Sequence, residues 1–274
     1  MIHSPRVSSA ALPAVLLLVL SACGERREAS APLSPTQQEA ANAGYLSPPD
    51  VEAVRTAGEE LVVEGAGPAG GRVRLAEAGR QTFSTAVDPA GRWRIAAPLG
   101  SDPRIFALAV DHEGRVLEAE GGLLVLPDGR AFVLRPGHGA LPVARAPGSP
   151  EPRILSIDVA SDGAAAVSGY AQPSSRAVTV VDGTPPAEDL SVGQGSADAS
   201  GRFAIILASP LAPGPHAVVV NTPEGVARAQ VQVTAPDDPG SQAFAARQAA
   251  GGWRISWRLP RGGVQTTYVL GPDA

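Results

Sequence analysis

Short runs of alternating apolar and polar residues fill most of the chain, and a turn signal closes each run. Arg202 to Leu207 sets Phe203, Ile205 and Leu207 on one side of an extended segment, and Ala217 to Asn221 is likewise strand-forming. A two-residue period belongs to a pleated strand with one buried face. Leu123 to Leu126 and Ala131 to Leu134 flank Pro127-Asp128-Gly129, the pattern of a hairpin. Asp88-Pro89-Ala90-Gly91, Asp111-His112-Glu113-Gly114 and Asp198-Ala199-Ser200-Gly201 each place Asp first and Gly fourth. That is the residue preference of a type I turn, and a left-handed Gly after it lets the strands return antiparallel. The pattern predicts an all-β chain: two antiparallel β-sandwich modules plus a C-terminal β-hairpin or meander.

Internal repetition supports the two modules. Val62-Val63-Glu64-Gly65 matches Ala166-Val167-Ser168-Gly169, and Val73-Arg74-Leu75 matches Val178-Thr179-Val180. Gly91-Arg92-Trp93-Arg94-Ile95 matches Gly201-Arg202-Phe203-Ala204-Ile205. Half of the plan recurs near the end, where Gln81-Thr82-Phe83 and Trp93-Arg94-Ile95 resemble Gln242-Ala243-Phe244 and Trp253-Arg254-Ile255. Repetition implies one supersecondary plan used again. The expected division is a signal at 1–22, a flexible tether at 23–49, and a first sandwich at 50–135. A Pro-rich linker at 136–152, a second sandwich at 153–234 and a meander at 242–271 follow.

The N-terminus has a single positive residue, Arg6, then an apolar stretch from Ala10 to Leu20 and small residues. This is the layout of a secretory signal. It is shorter than the roughly 20 apolar residues that a membrane span needs. Leu20-Ser21-Ala22-Cys23 resembles the lipobox of bacterial lipoproteins, and Cys23 is the chain's one cysteine. The resemblance implies acylation of Cys23 and attachment to a membrane through the lipid; two or more acyl chains give a stable anchor. Gly24 stands where that family carries Asp for inner-membrane retention, so the expectation is the outer membrane, facing the periplasm or the cell surface.

Composition narrows the chemistry. All 22 basic residues are Arg, so Schiff-base, Ser-Lys and P-loop mechanisms have no lysine to use. With Cys23 acylated, no thiol remains for a disulfide, a thiolate metal site or a nucleophile. The net charge of −5, without a block of like charge, argues against nucleic acid as a partner. Few aromatics with 31 Gly and 27 Pro suit short strands and many turns.

The second module, through Val167-Ser168-Gly169, Pro173, Val178-Thr179-Val180, Ala197 to Phe203 and Leu211-Ala212-Pro213-Gly214, resembles the bacterial Ig-like modules of envelope and surface proteins. The first is similar, and is also similar to the carboxypeptidase-regulatory-like sandwich. The resemblance implies Ig-like sandwiches acting as spacers, adhesive units or assembly platforms. A fold licenses such roles only by analogy.

Three patterns bear on chemistry. Gly65-Ala66-Gly67-Pro68-Ala69-Gly70 spells G-x-G-x-x-G after an apolar run, but a dinucleotide site needs a helix next, and Gly71 to Leu75 reads as a strand. Asp111, His112 and Glu113 crowd together, yet strand neighbours point to opposite faces, so a solvated hairpin tip is expected and no metal site is assigned. No Gly-x-Ser-x-Gly elbow occurs, no catalytic residue is named and no cofactor is called.

The strongest candidate surface is C-terminal. Trp253, Ile255, Trp257 and Leu259 alternate with Arg254, Ser256 and Arg258, and Tyr268 lies on the return strand. Trp253, Arg254, Trp257, Arg258 and Tyr268 are the candidate binding residues, as core sealing the half-repeat or as a surface for a glycan or partner protein. The expected function is non-enzymatic: a membrane-anchored envelope lipoprotein using Ig-like modules for adhesion, scaffolding or binding of an envelope protein or polysaccharide. A periplasmic glycan or ester hydrolase on the same scaffold is the competing reading.

Overall fold

Turn chemistry sets the strand boundaries. In the computed structural model, which describes residues 46–144, 148, 150–175, 178–182, 192–249, 251–260 and 262–271, Asp88 and Asp198 organise equivalent turns. The Gly91 amide donates to the Asp88 carbonyl, and Asp88 Oδ1 accepts the amides of Ala90 and Arg92 at 2.9 Å each. Asp198 does the same for Gly201, Ser200 and Arg202. Gly91 and Gly201 both take positive φ, 77° and 76°. The signal at 1–22, Cys23 and the tether as far as residue 45 lie outside the described residues.

The first module contains β1 (Asp50–Ala57), β2 (Glu60–Ala66), β3 (Arg72–Glu77), β4 (Thr82–Ala86), β5 (Arg92–Pro98), β6 (Arg104–His112), β7 (Arg115–Val125), β8 (Ala131–Arg135) and β9 (Gly139–Pro142). They form a three-stranded sheet, β1-β2-β5, facing a six-stranded sheet, β4-β3-β6-β7-β8-β9. The second contains β10 (Arg153–Ala160), β11 (Ala165–Tyr170), β12 (Val178–Asp182), β13 (Val192–Gly195), β14 (Arg202–Ile206), β15 (Gly214–Thr222) and β16 (Gly225–Val233). β17 (Phe244–Ala249), β18 (Gly252–Arg258) and β19 (Val264–Leu270) join its first sheet, giving β14-β11-β10-β19-β18-β17 opposite β13-β12-β15-β16. Every pairing is antiparallel. The chain is all-β.

The sequence repeat coincides with a structural one. β1-β2-β5 corresponds to β10-β11-β14, and β4-β3-β6-β7 to β13-β12-β15-β16. Gly65 stands opposite Trp93, and Gly169 opposite Phe203. A Cβ on Gly65 would lie 2.6 Å from the Trp93 ring, and one on Gly169 would lie 3.0 Å from the Phe203 ring. The shared Gly leaves room for the aromatic that fills each sandwich.

Three readings are corrected. The β6–β7 turn is a two-residue hairpin at Glu113 and Gly114, with φ of 49° and 75°, and His112 pairs with Arg115. Two positive φ values define a type I′ turn, whose twist matches the strands it joins, so Asp111 stays in β6. The terminal half-repeat is no structural repeat: β4 and β5 lie in different sheets, whereas β17 and β18 pair directly. Within the stretch read as a linker at 136–152, residues 139–142 form β9, hydrogen-bonded to β8 as the edge of the six-stranded sheet. Pro142 is tolerated there because an edge strand need not donate on its outer side.

Three buried clusters follow. One fills the first sandwich around Leu61, Leu75, Trp93 and Phe106. A second fills the other around Ile157, Phe203, Val218 and Tyr268. The third joins the modules: Leu124, Leu126, Phe132, Leu134 and Ala140 of the first pack on Leu155, Ile255, Trp257 and Val269 of the second. Each module extends one sheet beyond the shared plan, and these extensions bury one another. The described residues from 46 onward form one compact unit.

Candidate functional site

The C-terminal hairpin presents two faces, and both are partly covered. Trp253, Ile255 and Trp257 stand opposite Val269, Thr267 and Gln265 across the β18–β19 ladder, on the side of the inter-module cluster. Trp257 is 6% exposed and its indole N–H donates to Thr267 Oγ1 at 3.2 Å. Trp253 is half-buried against the same cluster. The aromatic stripe is therefore largely core, held by the β8–β9 hairpin.

The opposite face carries Arg254, Ser256 and Arg258, and the segment after β16 crosses it. Arg254 donates to the Ala235 carbonyl at 2.5 Å and lies 3.4 Å from Asp237 Oδ2. The Asp237 amide donates to Ser256 Oγ, which shares a hydrogen bond with Thr266 at 3.0 Å. Arg258 reaches the carbonyls of Gly240 and Gln242 and lies 3.6 Å from Asp238. These arginines fasten residues 235–242 to the sheet, so the alternation that suggested a basic surface serves largely as an internal clamp.

Three of the five candidates nevertheless meet. Trp253, Arg254 and Tyr268 border a groove of about 660 Å³ between β15–β16 and β18–β19, together with His216, Gln230 and Thr234. Tyr268 is buried, its hydroxyl accepting the Thr234 amide at 3.0 Å. Arg254 Nε is buried without a hydrogen-bond partner among the described groups. His216 Nε2 lies 2.7 Å from the Ala212 carbonyl. Trp257 and Arg258 do not border the groove.

The other motifs resolve as turns. Gly65 belongs to β2, and the Gly71 amide donates to the Pro68 carbonyl in a tight turn that leads straight into β3. Asp111 pairs with Arg74 at 3.0 Å. Among the described residues, no cluster of three or more His, Cys, Asp or Glu side chains is arranged to hold a metal ion.

A polar cluster was not foreseen. Asp158, Ser156, Ser168, Gln265 and Thr267 are buried where β9 crosses the second module's sheet. Asp158 Oδ2 accepts the Ala140 amide at 2.8 Å, and Oδ1 accepts Thr267 Oγ1 at 2.5 Å and Gln265 Nε2 at 3.2 Å. Gln265 Oε1 accepts the Gly137 amide, and Ser156 donates to the Ala140 carbonyl. Burial pushes the Asp158 carboxyl up to about 6, against the opposing hydrogen bonds from Thr267, Ala140 and Gln265. The available signal was the run of small uncharged polar residues on β10, β11 and β19, where a solvent face would carry Arg or Glu.

Comparison with known proteins leaves the family open. No protein-family model matches the chain, and no curated protein matches it in sequence. Among solved structures, it is similar to the BSP domain of a biofilm-associated protein at 17% identity and a TM-score of 0.23, covering 71% of this chain and 30% of that one. It is also similar to a 1.5-MDa bacterial ice-binding adhesin retained at a host cell surface, at 15% identity, TM-score 0.21 and coverage of 79% and 81%. A Ca²⁺-stabilised adhesin that helps an Antarctic bacterium bind ice gives 16%, 0.20, and coverage of 78% and 61%. The chain thus spans about a third of the first of these structures and under two thirds of the last.

Proposed function

We propose that the chain is a non-enzymatic lipoprotein of the cell envelope, anchored through Cys23 at the outer membrane, whose second sandwich binds an envelope protein or polysaccharide. The groove between β15–β16 and β18–β19 carries this reading. It gathers an aromatic edge at Trp253, the guanidinium of Arg254 and the amide side chain of Gln230 around one concavity of about 660 Å³. Concave sites lined by apolar surface with a few placed polar groups are the usual form of a ligand site. The third hydrophobic cluster supports a platform role, because it packs the first sandwich against the sheet that carries one wall of that groove.

The test is a groove-filling substitution. Ala249 is exposed and borders the groove, so Ala249→Trp blocks it without touching a buried cluster. Retention of the purified protein on isolated envelope polysaccharide and on solubilised envelope proteins is expected to be saturable, and to fall at least tenfold in the variant. Equal retention by both proteins, or turnover of glycan or ester substrates by the wild type, overturns the proposal.

A further inference from the structure

The two modules diverge at the sheet edge where the groove lies. β7 and β16 are equivalent strands, each entered through a tight hairpin, with His112 opposite Arg115 and Thr222 opposite Gly225. Counting back along β6 and β15 from these hairpins makes Ala107 equivalent to Ala217. Ala107 stands opposite Gly122 and Ala217 opposite Gln230, so residues 122–125 of β7 correspond to residues 230–233 of β16. In the first module β8 pairs antiparallel with that stretch, from Leu134 opposite Gly122 to Ala131 opposite Val125. In the second, β16 is the edge of its sheet, and no strand among the described residues pairs with its outer side. After Leu126 the chain turns back to make β8, whereas after Thr234 it crosses to β18, where Arg254 holds the Ala235 carbonyl.

The stretch without a second partner strand is the one that borders the groove. Gln230, Val231 and Gln232 line it, together with Arg254, Tyr268 and Leu270 of β18 and β19. The two-residue turn at Pro223 and Glu224 closes on a hydrogen-bonded pair, Thr222 and Gly225, and the ladder alternates from there. The backbone N–H and C=O of Gln230 and Gln232 therefore point away from β15, as those of Gly122 and Leu124 point to β8. An open row of this kind is a template for another strand. Val231 and Val233 are buried in the second core, while Gln230 and Gln232 are exposed. β8 shows the alternation that such an edge takes: Ala131 and Val133 pack on the first core, and Phe132 and Leu134 face the other side. Charge narrows the choice further. Among the described residues that border the groove are Arg254 and His216 but no carboxylate, in a chain of net charge −5. Asp237, 3.4 Å from the Arg254 guanidinium, does not border it. Arg228, the one charged residue of β16, is exposed.

We propose that the groove takes an extended, acidic segment of a partner protein, which pairs antiparallel with β16 as β8 pairs with β7 in the first module. This rests on the groove being the binding surface and names its occupant. Apolar side chains at alternate positions of the segment lie over Tyr268 and Leu270. The polar ones between them face solvent beside Gln230 and Gln232, and carboxylates meet Arg228 and Arg254. Main-chain hydrogen bonds supply the affinity, and the alternation with its charge supplies the choice of partner.

The test is binding of a synthetic peptide that alternates Val and Thr between terminal Glu residues, followed by amide hydrogen exchange on the whole chain. Saturable binding is expected, with new protection at the Gln230 and Gln232 amides and no change at Leu75 and Phe106 in the first core. The same peptide with N-methylated amides is expected to bind roughly tenfold more weakly or worse, since its main-chain donors are gone. A peptide with Lys in place of Glu should also bind more weakly. Gln232→Pro removes one outward N–H from an edge strand, which tolerates Pro, and should weaken the Glu peptide alike with the fold intact. Should that variant fail to fold, the methylated peptide decides. Undiminished binding of the methylated peptide, or a Lys peptide that binds as tightly, overturns the proposal. So does protection of Gln230 and Gln232 that rises with protein concentration in the absence of peptide, which would mean that a second copy fills the edge. If no peptide binds, yet envelope polysaccharide is retained by the wild type and lost by Ala249→Trp, strand addition fails and the groove reading stands. If neither is retained, both fail.

Discussion

Trp93 lies across Gly65 so closely that a Cβ on the glycine would meet the indole at 2.6 Å and the Asp50 carbonyl at 1.9 Å. The indole N–H donates to the Ala66 carbonyl at 2.8 Å, which fixes the ring over that spot. Gly65→Ala must displace both the backbone of β1 and the ring. A loss of about 1 to 3 kcal/mol is expected, the usual cost of overpacking. Gly169→Ala, under Phe203 and against the Arg153 carbonyl at 1.9 Å, should behave alike. Urea unfolding of both variants checks the equivalence of the two modules.

Trp257→Ala removes a buried ring at the inter-module cluster and the donor to Thr267. The expected loss is about 3 to 5 kcal/mol. Trp257→Phe retains most of the apolar volume and should recover much of it. A variant as stable as the wild type in chemical denaturation would contradict the core role.

Charge reversal at Arg254 and Arg258 is expected to loosen the segment that these arginines hold. Both side chains clamp residues 235–242, and Arg254→Glu would set a like charge beside Asp237 of that segment. The double variant should show faster limited proteolysis within 235–242 while its β circular dichroism persists.

Stability should carry the signature of Asp158. Its folded value of about 6 stands above the ordinary 3.8, so the folded state holds a proton that the unfolded chain gives up between those values. This group's contribution is fully present below about pH 3.8 and is lost as pH rises through 6. It amounts to on the order of 3 kcal/mol. Denaturant midpoints of wild type and Asp158→Asn should converge or cross between pH 4 and pH 7.5, whereas parallel curves would count against it.

Cys23→Ser should leave the protein unacylated and soluble after cell fractionation. Persistence in the outer-membrane fraction after a high-salt wash would contradict lipid anchoring.

Strands and tight turns were legible because their signals are local. Period-two alternation and Asp-x-x-Gly span a handful of residues, and the Gly65 and Gly169 repeat marks one pairing twice. β9 was hidden by Gly137, Gly139 and Pro142, which read as linker unless β8 is known to lie beside them. The third cluster was out of reach for another reason. Arg130 hydrogen-bonds the Leu270 carbonyl across 140 positions, and Thr267 reaches Asp158 across 109. No short window contains both partners. Of the candidate residues, the stripe of Trp253 and Trp257 was visible as amphipathic, but only tertiary contact shows that the β8–β9 hairpin covers it.

The position of β19 between β10 and β18 imposes an order on biogenesis. β10 leaves the ribosome well before the strand that completes its sheet. Until β19 arrives, β10 presents an open row of backbone donors and acceptors, and Asp158 beside it remains hydrated and charged. The second sandwich is consequently sealed late in synthesis, by contacts far apart in the chain, which slows closure relative to the hairpins around it. Chaperones that shield exposed strand edges have that interval in which to act.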